Sequence, residues 1–463
     1  MLKKSALGIL AALALLPAMR AVRADEPLGA HEPRLITESA EITAVPDAFD
    51  DGNVLDVNLV LGFTQSWKRA NIRRESGTSA PNAKSAALGM EDIARYSATT
   101  SALLVGADVG IYHDLALLVR LPVVLSFSQE LGDLNGSTGA LAQRLSDGIG
   151  GQLFGLPFRS PTRSGVDYIS AGIDWAIFNQ QRDRTKPSWV VGIEGRLAVG
   201  IPMHACNGGA ATCPDPSNPT LGREPGISRG TEAVLGKSIW SRRFGYLEPY
   251  AAVWMQAEFP RGGSDFSGYD PASDLRRGPP LLGSMAVGLE VIPYEKGEQV
   301  QRLSADVRLK GTYHSAGRDY SELFDALGSS QAATLRAPTP VTYGPGALTP
   351  SSGKAYFTGI TEEQAYGSLS LSASATWRSG EYIKFTVGSA FGYAQPHFVT
   401  SAPQCLPGNA DPNAAGPCID PASRAVRGVS NPEHRDILDL PSRRFSVDDT
   451  TVVDLWVTSV VMF

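Results

Sequence analysis

Beyond residue 24 the chain lacks any long apolar run. Hydrophobic residues make up 43% of its 463 residues and charged ones 19%, with a mean hydropathy of −0.09. No later segment reads as a membrane helix, which needs about 20 consecutive apolar residues. Crossing a bilayer with strands is not excluded, because one face of each strand is polar and the average stays near neutral. Basic residues are not in excess: a net charge of −6 argues against nucleic acid as a partner. No Walker loop, HExxH or GxSxG pattern occurs. Histidine is scarce, and the one His-Ser contact in a strand-like region is His314-Ser315. Neighbours in a strand point to opposite faces, so these two cannot serve together as base and nucleophile, and a lipid hydrolase is disfavoured. The expectation is a protein that is not an enzyme and takes no cofactor or metal. Asp411 to Asn413 could hold calcium only loosely, without the EF-hand spacing.

What is present begins with an export signal. Lys3 and Lys4 precede an apolar run from Ala6 to Leu16, Pro17 breaks it, and Val22-Arg23-Ala24 offers a cleavage site. Residues 1–24 are expected as a signal peptide, 25–50 as a polar, irregular periplasmic segment, and 51–463 as one folded unit. Forty-eight glycines and 32 prolines favour a β-rich chain with many turns. The four cysteines form two local pairs, Cys206 with Cys213 and Cys405 with Cys418, in Pro/Gly/Asn-rich segments. In an exported chain they read as two loop-stapling disulfides rather than a zinc site, since neither spacing is CxxC.

The dominant signal is period-two alternation. Leu59, Leu61 and Phe63 alternate with Asn58, Gly62 and Thr64; Leu303, Ala305, Val307 and Leu309 alternate with Ser304, Asp306, Arg308 and Lys310. Ser368, Ser370, Ser372 and Ser374 form a hydroxyl ladder opposite Leu369, Leu371 and Ala373. An amphipathic helix would not hold polar residues at strict i, i+2 spacing, whereas a barrel wall in lipid must alternate this way. About twelve such segments recur, centred on 53–68, 97–112, 115–129, 166–179, 188–201, 229–240, 245–259, 281–294, 300–315, 365–378, 381–395 and 447–463, an even number as bacterial barrels have. The expected fold is all-β, an antiparallel up-and-down transmembrane barrel, with ten or fourteen strands if a hairpin is misread. The sixth segment is the least regular, because Lys237 joins the apolar face if Ala233 and Leu235 point outward.

Connections alternate short and long, which places the short turns and both termini in the periplasm. Aromatic residues gather at strand ends, with Tyr112, Phe178, Trp240, Tyr246, Tyr294, Trp377, Tyr382 and Phe463 by the short turns. Trp67, Phe127, Phe259, Tyr313 and Tyr393 lie toward the long loops. Two short runs at helical spacing, Tyr320 to Leu327 and Ala140 to Leu145, are expected as helices on the rim rather than as plugs.

The inward face collects the candidate functional residues: Asp56, Asp108, Arg120, Asp174, Glu194, Arg196, Glu248, Glu258, Glu290, Asp306, Arg308, Lys310, Ser370, Ser372, Lys384 and Asp454. Asp174, Glu194 and Arg196 are expected to form an ion-pair cluster. Acidic residues outnumber basic ones, which predicts a narrow water path with slight cation preference.

The final strand, from Thr451 to Phe463, has a terminal aromatic with Val461, Val457, Leu455 and Val453 at alternate positions. It resembles the C-terminal signal of bacterial outer-membrane barrels, which implies the barrel assembly machinery and outer-membrane lipid as partners. The stretch from Gly165 to Pro202, with Gly172, Trp175, Lys186-Pro187 and Gly192, and the segment Tyr246-Leu247-Glu248-Pro249-Tyr250 resemble the outer-membrane transporter family linked to phenol-degradation pathways. That resemblance covers about a fifth of the chain and implies uptake of small organic solutes. The alternative is a surface receptor or adhesin presenting the stapled loops.

Overall fold

The computed structural model describes residues 40–46, 48, 56–76, 89–134, 145–146, 151–209, 213–215, 222–267, 278–296, 299–340, 354–404 and 431–463. The signal peptide, most of 25–50, the 411–413 stretch, nearly all of the 140–145 run, and Cys405 and Cys418 lie outside them.

Alternating sequence becomes wall in twelve strands: β1 (Val57–Ser76), β2 (Gly89–Tyr112), β3 (Leu115–Asp133), β4 (Tyr168–Phe178), β5 (Ser188–Ala198), β6 (Thr231–Ser241), β7 (Leu247–Pro260), β8 (Leu282–Lys296), β9 (Gln301–His314), β10 (Tyr366–Ser379), β11 (Ile383–Ala394) and β12 (Phe445–Met462). Each pairs antiparallel with its sequence neighbour. β12 then returns to β1, with Leu59 opposite Val461, Phe63 opposite Val457 and Trp67 opposite Val453. The seam ends where the Val57 and Phe463 backbones exchange hydrogen bonds of 3.1 and 2.9 Å. Closure leaves the wall no free edge.

The outward side chains are large, apolar and exposed all the way round, among them Leu61, Ile173, Ile193, Met255, Met285, Val307, Leu371, Val387 and Val457. Such a belt on a closed barrel is stable only in hydrocarbon, and this is an outer-membrane β-barrel. Tyr112, Trp240, Tyr246, Tyr382 and Phe463 are exposed at the short-turn end, and Trp67, Phe259, Tyr313 and Tyr393 at the other. Phe127 is a correction to that outer girdle. Leu125 is left unpaired between Val124 and Ser126, so the face flips and Phe127 packs inward against the loop core. β6 is the second correction: Ala233 and Ile239 are buried inside while Val234 and Trp240 are exposed. Lys237 is therefore a lumen residue, and the face assumed to be apolar was the wrong one.

Spanning takes about 9–11 residues, which β4, β5 and β6 just meet with 11 each. β1, β2, β3 and β12 run to 20, 24, 19 and 18 residues and project beyond the outer girdle. In the projection the polarity inverts. Arg69, Arg95 and Ser97 face outward and are exposed, while Ala70, Ile72, Tyr96, Ala98, Phe445 and Val447 are buried on the inside. The long loops fold onto that inner surface with Leu153, Phe154, Phe158, Leu323, Leu327, Leu335, Phe357 and Leu438, forming a second hydrophobic core that caps the barrel. Within it lie short helical turns α1 (Phe324–Gly328), α2 (Ala333–Arg336) and α3 (Asp436–Asp439).

If every second side chain of β10 meets lipid, Leu371→Arg will lower unfolding stability in phospholipid vesicles by about 2–4 kcal/mol. Ser372→Ala, one residue along, will change it by less than about 0.5 kcal/mol. Urea titrations of the two variants check this, and equal effects would contradict the assigned faces.

Candidate functional site

The 320–327 run was expected on the rim; it is instead the centre of the outer closure. Leu323, Phe324, Ala326 and Leu327 are each 1% exposed or less: Leu323, Ala326 and Leu327 pack in the core lined by the projecting strands, and Phe324 packs with Ala205, Phe266 and Ile360. Asp325, on the same turn, is the polar anchor. Its carboxylate pairs with Arg163 (2.5 and 2.8 Å) and accepts hydrogen bonds from Gln129 Nε2 on β3 (2.5 Å) and the Cys206 backbone N–H (2.8 Å). Around it, Glu322 binds Lys68 of β1 (2.6 Å), Asp319 binds Arg229 (2.9 Å), and Arg318 binds Glu433 (2.6 Å). The loop before β10 is thus tied to several sides of the mouth. Burial pushes the Glu322 carboxyl up, but Lys68 beside it holds it below the usual carboxylate range. Glu363, buried near Asp319 and Glu322, is pushed well above that range. The Cys206–Cys213 disulfide is formed, and both cysteines are buried in the cap rather than displayed on a loop tip.

The chain's own N-terminal segment occupies part of the inner mouth. Expected as an irregular periplasmic lead-in, its described part is docked inside the barrel. Ile42 and Val45, like Trp254, pack on Ala176, Val190, Ile239 and Ala252, which make one side of the lumen apolar near the short turns. Glu41 binds Lys384 (2.7 Å), and its N–H donates to Glu290 (2.9 Å), itself paired with Arg302 (2.7 Å). Thr43 meets Ser241 (2.9 Å), whose hydroxyl donates to Glu248 (2.7 Å). Ala48 and His113 exchange backbone hydrogen bonds. Burial pushes the Glu41 carboxyl up, but Lys384, with Arg302 and Arg378, holds it below the ordinary carboxylate range.

Between these closures the predicted wall residues fall into three groups. Most are paired: Asp108 with Arg120, Glu194 with Arg196 (3.0 Å), Glu290 with Arg302, Lys384 with Glu41, and Glu258 with Arg229 (3.1 Å). The expected cluster of Asp174 with Arg196 does not form. Asp174 pairs with Lys237 (2.6 Å) across the lumen face of β5, whose Gly192 leaves room, and Arg196 turns to Gln256 (3.1 Å). A second group forms a relay in which Arg308 Nε donates to the Tyr250 hydroxyl (2.8 Å), which donates to Asp306 (2.5 Å). The third group is the half-buried one. Ser370 and Ser372 face the interior beside Ala390 and Gly392, Asp454 lies in register with Ala390, and Lys310 sits over the Trp254 ring at 5.4 Å. Asp56 stands at the inner mouth, its carbonyl accepting from Gly110 N–H.

Sequence reading missed Lys237, Tyr250, Trp254 and Trp456 as lumen residues. The last three share the parity of Glu248 and Asp454, which was the available signal. Trp456 lies flat on Gly388, where any Cβ would overlap the ring. His314 stacks on Tyr366 (4.3 Å between ring centres), while the Ser315 hydroxyl accepts from Leu281 N–H (2.9 Å).

No family model matches this chain, and no curated protein matches it. Solved structures similar to it include an outer membrane channel from Pseudomonas putida F1 (9% identity, TM-score 0.36, 95% of this chain and 100% of the other). A FadL homologue of Pseudomonas aeruginosa is 10% identical (TM-score 0.29, 88% and 90% covered). The outer membrane protease OmpT of Escherichia coli is 7% identical (TM-score 0.28, 88% and 96% covered). Likenesses this remote bear on neither substrate nor chemistry.

Two outcomes follow from the closures. Asp325→Ala leaves Arg163 buried without its carboxylate, a loss of about 3–5 kcal/mol. Limited proteolysis will then cut within 316–363, while heat-modifiable gel mobility shows the barrel intact. At the inner mouth, Glu41 keeps its docked charge above the ordinary carboxylate pKa, and that contribution is lost only as pH falls through the lowered value. Maleimide labelling of Val45→Cys should accordingly stay slow from about pH 5 to 8. Adding Lys384→Met should speed it roughly tenfold at neutral pH, the scale of one charge-assisted hydrogen bond.

Proposed function

We propose that this barrel is an outer-membrane channel for small solutes, closed at rest by a cap of folded loops and by its N-terminal segment. The observation that carries the reading is the contrast along the wall. Lumen-facing Ser370, Ser372, Ser374, Gly388, Ala390 and Trp456 remain half-buried, whereas Thr376 and Arg378 toward the inner end of β10 and Phe445, Val447 and Thr450 at the outer end of β12 are buried. A barrel serving only as an anchor has no need of a row of hydroxyls and small residues inside; a solute path does. Beside their apolar packing, the closures are joined to the wall by ion pairs and hydrogen bonds, contacts that can be exchanged for water when a segment moves.

Small organic molecules fit this interior better than hydrated ions. Trp254, Tyr250 and Trp456 give it apolar surface, and the acidic excess counted from sequence is mostly neutralised by partner cations. Only weak ion selectivity is expected. No hydrolytic step belongs to this reading, since His314 and Ser315 engage different partners. Assembly through the terminal strand belongs to it, with Phe463 exposed at the end of the seam.

Planar bilayer recordings test the proposal. The native chain is expected to give small, intermittent conductance. A variant with 320–360 replaced by a short Gly-Ser linker should give a larger and steadier one. Absence of conductance and of solute flux in both, with folded barrels confirmed, would reject the channel reading.

A further inference from the structure

Lys310 is the odd cation of the lumen. Arg302 and Arg308, its neighbours on the same face of β9, have carboxylates at 2.7 and 3.7 Å. Lys310 has no ion-pair partner among the described residues; its ammonium lies over the indole of Trp254 on β7, 5.4 Å from the ring centre. A cation–π contact returns only part of what a half-buried ammonium loses in leaving bulk water. The strand between them contributes Ala286, directly opposite Lys310, and Ser284, so nothing bulky separates the amine from the ring. On its other side Lys310 stands opposite Ser370, and the next row pairs Arg308 with Ser372. Asp306, the acidic residue on this face of β9, lies beyond Arg308 and accepts from the Tyr250 hydroxyl.

We infer that Lys310, Trp254 and Ser370 form a binding site for a compact aromatic carboxylate, held as it passes along the lumen. The carboxylate would take the ammonium as its counter-ion and the Ser370 hydroxyl as a donor, while its ring lies beside the Trp254 indole. A single unpaired cation suits a monoanion rather than a phosphate, which favours several donors or a bidentate guanidinium. The aromatic wall favours a ring over an alkyl chain of equal size. The inference rests on the channel reading of this lumen and adds a substrate class to it.

Benzoate is the probe and benzyl alcohol its uncharged counterpart, titrated calorimetrically into the purified full-length barrel in detergent. Saturable benzoate binding is expected, roughly tenfold tighter than benzyl alcohol, as a charge-assisted contact supplies. Lys310→Gln should remove that difference and Lys310→Arg should keep most of it. Native protein that binds the two probes equally, or binds neither, overturns the inference without recourse to any variant. So does full benzoate affinity in a folded Lys310→Gln barrel. Liposome flux of an uncharged sugar separates this from the channel reading: flux without preference for benzoate sinks the site alone, and benzoate binding without any flux sinks the channel alone.

Discussion

Inside hydrocarbon no water is available to the peptide groups, so every strand of this wall must find both of its neighbours. That requirement makes the β1–β12 seam the interaction on which the rest depends. With Val57 and Phe463 joined and the register running through Leu59–Val461 to Trp67–Val453, the sheet has no edge. Its outer face can then be uniformly apolar without inviting aggregation. Closure also defines an inside, where the charges on alternate residues are kept from lipid and pair along the wall with groups on the same or nearby strands.

The same alternation is used with opposite sign above the membrane. Along β1 the outward positions change from Leu61, Phe63 and Trp67 to Arg69, and the inward ones from Gly62 and Thr64 to Ala70 and Ile72. Water has replaced lipid outside, so the apolar face moves inward and needs a cover. The long loops supply it, which is why segments of ordinary loop composition carry fully buried Leu323, Leu327, Leu335 and Leu438. Asp325 and Arg163, at 1% and 0% side-chain exposure, are the polar cost of that arrangement. A buried pair of this kind adds little net stability over an apolar substitute, but it is strongly disrupted by losing one member. It therefore fixes where the cap sits more than how tightly it holds.

The lumen is asymmetric for a related reason. The β4–β7 side is filled by Ile42 and Val45 near the inner mouth and by the Asp174–Lys237 and Glu194–Arg196 pairs higher up. The β10–β12 side carries hydroxyls, glycine and alanine beside Trp456, and these residues stay half-buried. Charges on the crowded side brace the wall, while Lys310 and Trp254 stand at the border where the open side begins. Function, on this view, belongs to what is left unpaired.

Residue by residue, most of the wall was legible in the chain. Period-two patterning gave β9 and β10 their faces because lipid imposes the same demand at every second position, and loop lengths ordered the hairpins. Where a bulge changed parity, as at Leu125, or where a lumen strand mixed Ala233, Leu235 and Ile239 with Lys237, local pattern misled. Such faces are set by neighbouring strands rather than by the segment itself. Which acid meets which base was also hidden: Asp174 finds Lys237 through Gly192 on an intervening strand, a relation no spacing along one segment encodes. The sequence by itself determined that this chain closes a wall in a membrane, since alternation is a local property enforced by the solvent on each side. Only the tertiary structure decided what the wall encloses, because plugging, pairing and free space depend on distant segments meeting at one depth.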